Sequence, residues 1–390
     1  MKLFFGIIFS FAFSLQGLAQ ITTFLNKANT LQTAVPFLLI TPDARAAGMG
    51  ETGVSTSPDV NALHWNPAKL AFAKSKMGFG ISYTPWLRAL VPDVNLAYLS
   101  FYAKPDSISA VAGSVRYFSV GNSTSSAGQY RPNEFAVDMG YSRRFATYWS
   151  VGMSARYIQS NLTGIIGGQT ARLGNSVGVD VGVYYLNKDR VKIFGKNCTM
   201  TLGAAITNMG PKMSYYTMAS RNEFLPINLR LGQGFKIDLD ARNQFSFQYE
   251  FNKLLVPTPP IYRIDSAGNP SVSSNGDFVI LAGKDPNVSV PRGMIQSFYD
   301  APRGAKEELA EITVGVGGEY WYNKMFAVRA GYFYQDKHKG NEQYVTLGAG
   351  IKYNVFGLDF AYLIPTNGQR SPLQNTLRFS LLFDFGKTKS

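Results

Sequence analysis

The chain has 390 residues, 38 of them Gly; 14% are aromatic and only 16% charged, against roughly a quarter charged in an ordinary soluble domain. A mean hydropathy of −0.06, with no long apolar run in the body of the chain, excludes a helical membrane protein but leaves a β-barrel open, because barrel strands dilute apolar residues with polar ones. The net charge of +13 is spread along the chain and suits anionic lipid phosphates better than nucleic acid, for which no motif is present.

Residues 1–19 read as a secretory signal peptide. Lys2 gives the positive start, Leu3 to Leu15 the apolar stretch, and Gly17-Leu18-Ala19 the cleavage site. The apolar stretch is too short to span a bilayer, and no Cys follows the site to take a lipid anchor. The N-terminal segment of residues 20–76 is long for an idle connector. It carries Thr41-Pro42-Asp43-Ala44-Arg45-Ala46-Ala47-Gly48-Met49-Gly50 and His64-Trp65-Asn66-Pro67-Ala68-Lys69-Leu70. Gly48, Gly50 and Gly53 permit close backbone approach in a narrow bore, while Asn66-Pro67 alone would also fit a plain turn. These stretches resemble the N-terminal hatch of the FadL family of outer-membrane transporters. The resemblance implies a segment folded into a barrel lumen, with Asn66, Pro67 and Ala68 as its motif and Gly48 and Gly50 in support.

From Met77 onward one pattern recurs. In Val177 to Tyr185 the large apolar residues occupy every odd position and Gly or Asp most of the even ones, which is period two with one apolar face. Phe135 to Tyr141, Phe245 to Phe251 and Leu377 to Phe385 repeat it. About fourteen such segments begin near Met77, Asp93, Ile108, Glu134, Trp149, Asn175, Cys198, Pro226, Gln244, Ile312, Met325, Gln343, Phe356 and Asn375. An even strand number and alternately short and long connections predict an all-β fold, a transmembrane antiparallel β-barrel over residues 77–386. The longest connection, 253–311, falls on the external side, and the stretch Asn187 to Asn197 reads as an inner turn longer than its peers, with room for a bulge or an edge extension. The polar face would line the lumen. Its mixed charges, among them Arg116, Arg156, Arg230, Arg329 and Arg378 against Asp138, Asp180, Glu250, Glu319 and Asp359, predict salt bridges across the bore. Tyr and Trp gather near strand ends, as interfacial girdles require.

The external connections carry apolar residues of the kind that protein interfaces favour. The candidates are Trp86, Leu87, Tyr215, Tyr216, Ile261, Tyr262, Phe298 and Tyr299, with Met213, Val256 and Ile295 beside them; the alternative is that these loops fold over one another as a lid. Catalysis is not expected, since His64 and His338 are the only histidines and neither sits in triad logic. No His/Cys cluster suggests a metal, no cofactor is implied, and the single Cys198 cannot form an internal disulfide.

Within the FadL-like superfamily, the runs "FLLITPDARAAGMGETGVSTSPDVNALHWNPAKL" and "GISYTPWLRALVPDVNLAYLSFY", with the long late external loop, resemble the PorV (LptO) family of the Bacteroidetes type IX secretion system. That resemblance implies an outer-membrane protein that binds the C-terminal domain of secreted cargo. It also implies association with a giant SprA/Sov-like translocon barrel, transfer to a PorU-like attachment complex, and contact with outer-membrane lipids including lipopolysaccharide. A FadL-like importer of hydrophobic small molecules is the competing expectation and requires an apolar lumenal pocket.

Overall fold

Fourteen period-two segments become fourteen strands, each hydrogen-bonded to its chain neighbour in one closed antiparallel barrel. The computed structural model describes residues 28–85, 93–125, 128–162, 165–166, 169–170, 173–193, 195–214, 222–266, 268–367 and 376–387. The first strands are β1 (Ser75–Pro85), β2 (Val94–Ala103), β3 (Ser109–Val120), β4 (Asn133–Arg144) and β5 (Trp149–Asn161). Next come β6 (Gly174–Ile193), β7 (Lys196–Met209), β8 (Asn228–Asp238) and β9 (Gln244–Leu254). The circuit finishes with β10 (Thr313–Tyr322), β11 (Phe326–Tyr334), β12 (Gln343–Tyr353), β13 (Phe356–Pro365) and β14 (Leu377–Lys387). β14 returns to β1, pairing Lys387 with Ser75 and Phe379 with Tyr83, so no strand is left with an unpaired edge facing lipid.

The two faces follow the residue alternation. Along β5, Val151, Met153 and Tyr157 point outward, while Ser150, Ser154, Arg156, Ile158 and Ser160 are buried in the lumen. An eleven-residue strand rises about 36 Å and, tilted by about 40°, covers roughly 28 Å of height, close to the apolar thickness of an outer membrane. The short connections, residues 104–108, 145–148, 239–243, 323–325 and 354–355, share one end, which is thereby periplasmic.

The stretch Asn187 to Asn197 takes up the bulge and the extension that its length left open: β6 continues to Ile193, opposite Lys196, with a register shift between Asn187 and Val191. The bulge and extension carry the β6–β7 ladder beyond its neighbours, and Cys198 is buried in it.

Residues 28–74 thread the barrel. Their path starts among the external loops, where the Asn29 amide donates to the His338 carbonyl at 2.9 Å and its side chain to Pro259 O and Glu307 Oε1, each at 3.1 Å. Helices α1 (Ala44–Ala47) and α2 (Ala62–Trp65) and the 3₁₀ turn Pro67–Phe72 then lead down to β1 at the periplasmic end. Two apolar cores anchor this thread. Val35, Phe37 and Leu38 pack with Phe118, Ile158, Leu225, Ile227 and Leu255 at the external end, and Val60, Leu63, Leu70 and Ala73 pack with Tyr102 and Ala110 at the floor. The long connection between β9 and β10 holds helices α3 (Val290–Gln296) and α4 (Ala305–Ala310) and a small ladder pairing Ile261–Tyr262 with Ile280–Ala282.

Candidate functional site: the lumenal hatch and the external rim

Asn66 occupies the break between α2 and the 3₁₀ turn. Its backbone is extended, with φ −163°, so its side-chain oxygen can cap the turn by accepting from the Ala68 amide at 3.0 Å. Its amide nitrogen donates outward to Val183 O at 3.0 Å and inward to Val54 O at 3.3 Å. Pro67 stands at the start of the turn, where a missing N–H leaves nothing unsatisfied. The Ala68 carbonyl accepts from Ser150 Oγ at 2.7 Å. The three motif residues thus fasten the hatch to two strands, β5 and β6.

The glycines on the lumenal face are where the hatch lies on the wall. A Cβ on Gly331 would fall inside the backbone of Met49 and Gly50, and one on Gly152 inside that of Pro67 and Ala68. Gly50 itself turns through φ +65° with the backbone of Val316 and Tyr332 against it, a conformation and a clearance that only Gly tolerates. Gly48, with an ordinary helical φ of −70°, lies against the backbone of Gly348, which a Cβ would approach to 3.0 Å.

The lumenal charges hold the hatch rather than bridge an open bore. Arg45 donates to both oxygens of Glu319, at 2.9 and 3.0 Å, and to Asp59 at 2.7 Å. Glu250 accepts from the amides of Gly53 and Val54 at 2.7 and 2.8 Å, and Arg378 pairs with Glu51 at 3.2 Å. The salt bridges expected across the bore instead run along the wall: Arg156 bonds Asp138 and Asp180 on the strands to either side, and Arg329 bonds Glu319 on the adjacent β10 and reaches over Gly350 of β12 to Asp359 on β13. The reason is steric, since the hatch occupies the space that longer bridges would cross. Arg116 donates to Leu38 O and to His64 Nδ1, both at 2.8 Å. A guanidinium offers no acceptor, so His64 is neutral with its proton on Nε2.

At the external rim the apolar candidates divide. Met213 and Val256 are buried in the cap, as a lid requires. Ile261 and Tyr262 are half-buried, Tyr262 resting on Phe278 with ring centroids 5.4 Å apart. Phe298 and Tyr299 are more than half exposed, as are Ile295 and Leu309, and the Lys284 ammonium lies 3.6 Å from the Tyr299 ring centre. Trp86, Leu87, Tyr215 and Tyr216 lie outside the described residues. Sequence reasoning passed over a second exposed group, Ile264, Val272, Phe278 and Leu281, although Ser274-Asn275-Gly276 between alternating apolar residues is a hairpin signal.

The cap beneath these side chains is locked by ion pairs. Lys339 meets Glu307 at 2.7 Å and Glu311 at 2.9 Å, and Lys253 meets Glu311 at 2.7 Å and Glu308 at 3.1 Å. Thr258 adds a hydroxyl bond to Glu311 at 2.6 Å. This network ties the end of β9, helix α4 and the 335–342 connection together.

A closed fourteen-stranded barrel with an apolar outer band, filled by its own N-terminal segment, defines an outer-membrane β-barrel protein of FadL-like architecture. Similar solved structures include the TodX deltaS2S3 mutant monoaromatic hydrocarbon channel, at TM-score 0.50 and 14% identity, covering 89% of this chain and 99% of that one. The Ralstonia pickettii toluene transporter TbuX follows at TM-score 0.47 and 13% identity, covering 88% and 98%, and a Pseudomonas aeruginosa FadL homologue at 0.44 and 12%, covering 92% and 100%. No curated protein matches the sequence. The family described as Type IX secretion system protein PorV matches residues 24–261, more than half of the chain. The chain belongs to the PorV family.

Proposed function

We propose that this type IX secretion component is a non-catalytic shuttle. Its external rim captures the C-terminal domain of secreted cargo at a SprA/Sov-like translocon barrel and delivers it to a PorU-like attachment complex. The observation that carries this reading is the exposed apolar group Ile295, Phe298, Tyr299 and Leu309 mounted on a cap that is itself packed and ion-paired. Rigid aromatic anchors on a preorganised support lose little entropy on binding a partner. The hydrophobic-importer reading asks for an apolar passage, whereas the lumen is filled by a hatch held through buried charges. The test is a tagged pull-down from gently solubilised outer membranes, with bound proteins and lipids identified by mass spectrometry. Recovery of a very large barrel with secreted proteins sharing a C-terminal domain, lost in an Ile295→Ser/Phe298→Ser/Tyr299→Ser variant, is expected. Recovery of the barrel alone with a hydrophobic small molecule would sink the shuttle.

A further inference from the structure

Cations gather at the periplasmic mouth of the barrel. Lys236 shares the lumenal face of β8 with buried Arg230, and Lys352 that of β12 with buried Thr346, because side chains an even number of residues apart on a strand point the same way. Both stand close to the short turns. Lys324 lies in the β10–β11 turn, and Lys74, the last residue before β1, is exposed among them. Lys74 is firmly placed: Ala73 belongs to the floor core, and the Lys104 ammonium donates to Ala71 O and Ala73 O at 3.0 and 3.2 Å. Partial withdrawal from water, then the charge of Lys188 with Lys324 and Lys352 adding to it and Asp238 opposing, hold the Lys74 ammonium below its ordinary 10.5. The acids of this end are already engaged. Asp384 is taken by Lys352 at 2.5 Å, Asp106 by the amides of Ile108 and Ser109, Asp240 by those of Arg242 and Asn243, and Asp238 by the Gln244 side chain at 2.6 Å. Among the described residues Lys74, Lys236 and Lys324 have no ion-pair partner.

We propose that this cationic mouth docks an acidic segment of a periplasmic protein, its carboxylates pairing with Lys74, Lys236 and Lys324 beneath the closed floor. Lysines at a membrane boundary often reach lipid phosphates by snorkelling. Lys236 and Lys352 project on the lumenal side of the wall, whereas the lipid annulus lies outside it. Nor do these cations line a conduit, since the hatch floor packs across the bore above them. Charges of one sign that lie within a Debye length of one another, about 8 Å at physiological salt, act on a partner as a single field. Pairs formed at such a water-exposed rim speed encounter and fix register more than they add affinity, so the contact is salt-sensitive and readily reversed. It does not depend on what the external rim binds.

The test is fluorescence anisotropy on the full folded chain in uncharged detergent micelles, with a fluorescein-labelled deca-glutamate peptide as probe and deca-serine as its uncharged counterpart. Saturable binding of the glutamate peptide is expected at low salt, weakened at least about tenfold at about 0.5 M salt, where the screening length falls to about 4 Å. The serine peptide should not bind. Lys74→Glu/Lys324→Glu, at two exposed positions, should weaken binding at least about tenfold. Arg292→Glu/Lys306→Glu, the same change of net charge at exposed positions of the external rim, should leave it within about twofold. Equal weakening by the two reversals, binding unchanged in a Lys74→Glu/Lys324→Glu barrel that still shows heat-modifiable migration, or no binding at all would overturn the proposal. Displacement of the peptide by phosphatidylglycerol added at equal charge would overturn it too, giving the cations to lipid phosphates. If the mouth reversal fails to fold, Lys236→Gln against the rim reversal decides it, with weakening expected for the first alone.

Discussion

Asn66 satisfies a turn, a strand and the hatch with one amide, and its loss leaves the carbonyls of Val54 and Val183 without their donor. Asn66→Ala should destabilise hatch docking by about 1–3 kcal/mol, read as faster hydrogen exchange at residues 53–70 with the barrel strands unaffected. A bulkier side chain at Gly331 should act from the wall side. Gly331→Leu would displace Met49 and Gly50, and in planar bilayers it should conduct where the parent stays closed. At the rim, burial pushes the Asp300 carboxyl up to about 6 from an ordinary 3.8, partly opposed by the hydrogen bonds from Thr258. A raised carboxyl favours the protonated fold, so its contribution is fully present below about 3.8 and is lost as pH rises through about 6. Hydrogen exchange in residues 256–300, corrected for intrinsic rates, should therefore show a cap that loosens between those values, and Asp300→Asn should flatten that dependence.

The strands were legible because each must offer lipid one face and the lumen the other, which forces alternation into the sequence. That constraint ends at the membrane boundary. The extension of β6 and β7 around "NKDRVKIFGKN" lies past that boundary, so its residue order left a long turn and a bulged strand extension both open. The hatch motif was legible through a family resemblance, and its anchoring glycines only as small residues on a polar face; which backbone they admit depends on contacts across hundreds of residues. The cap ion pairs were invisible for the same reason, since Lys253 and Lys339 find their carboxylates only after the long connection has folded. At this scale Lys339→Met should be severe. It strips Glu307 and Glu311 of a buried partner, a loss of about 3–5 kcal/mol when a buried pair is broken from one side, and should speed exchange in α4 and residues 335–342 while leaving β1 to β8 protected.

For the whole molecule, the side of the membrane on which each end lies follows from connection length alone, and it is directly checkable. In a Cys198→Ser background, Tyr299→Cys should react with an impermeant maleimide on intact cells and Asp240→Cys, in the turn between β8 and β9, should not. The reverse labelling would invert the assignment and remove the rim from any contact with surface partners. The seam between β1 and β14 has one more consequence. The hatch precedes β1 in the chain, lies flush against bare backbone on the inner wall, and is fixed at both ends, above by Asn29 and below by the start of the first strand. A closed wall admits no such segment sideways. The final zipping of the first strand to the last must therefore happen around a hatch already in place, which makes that segment the mould on which the barrel closes, and makes the order of assembly, more than the strength of any bond, the reason it stays inside.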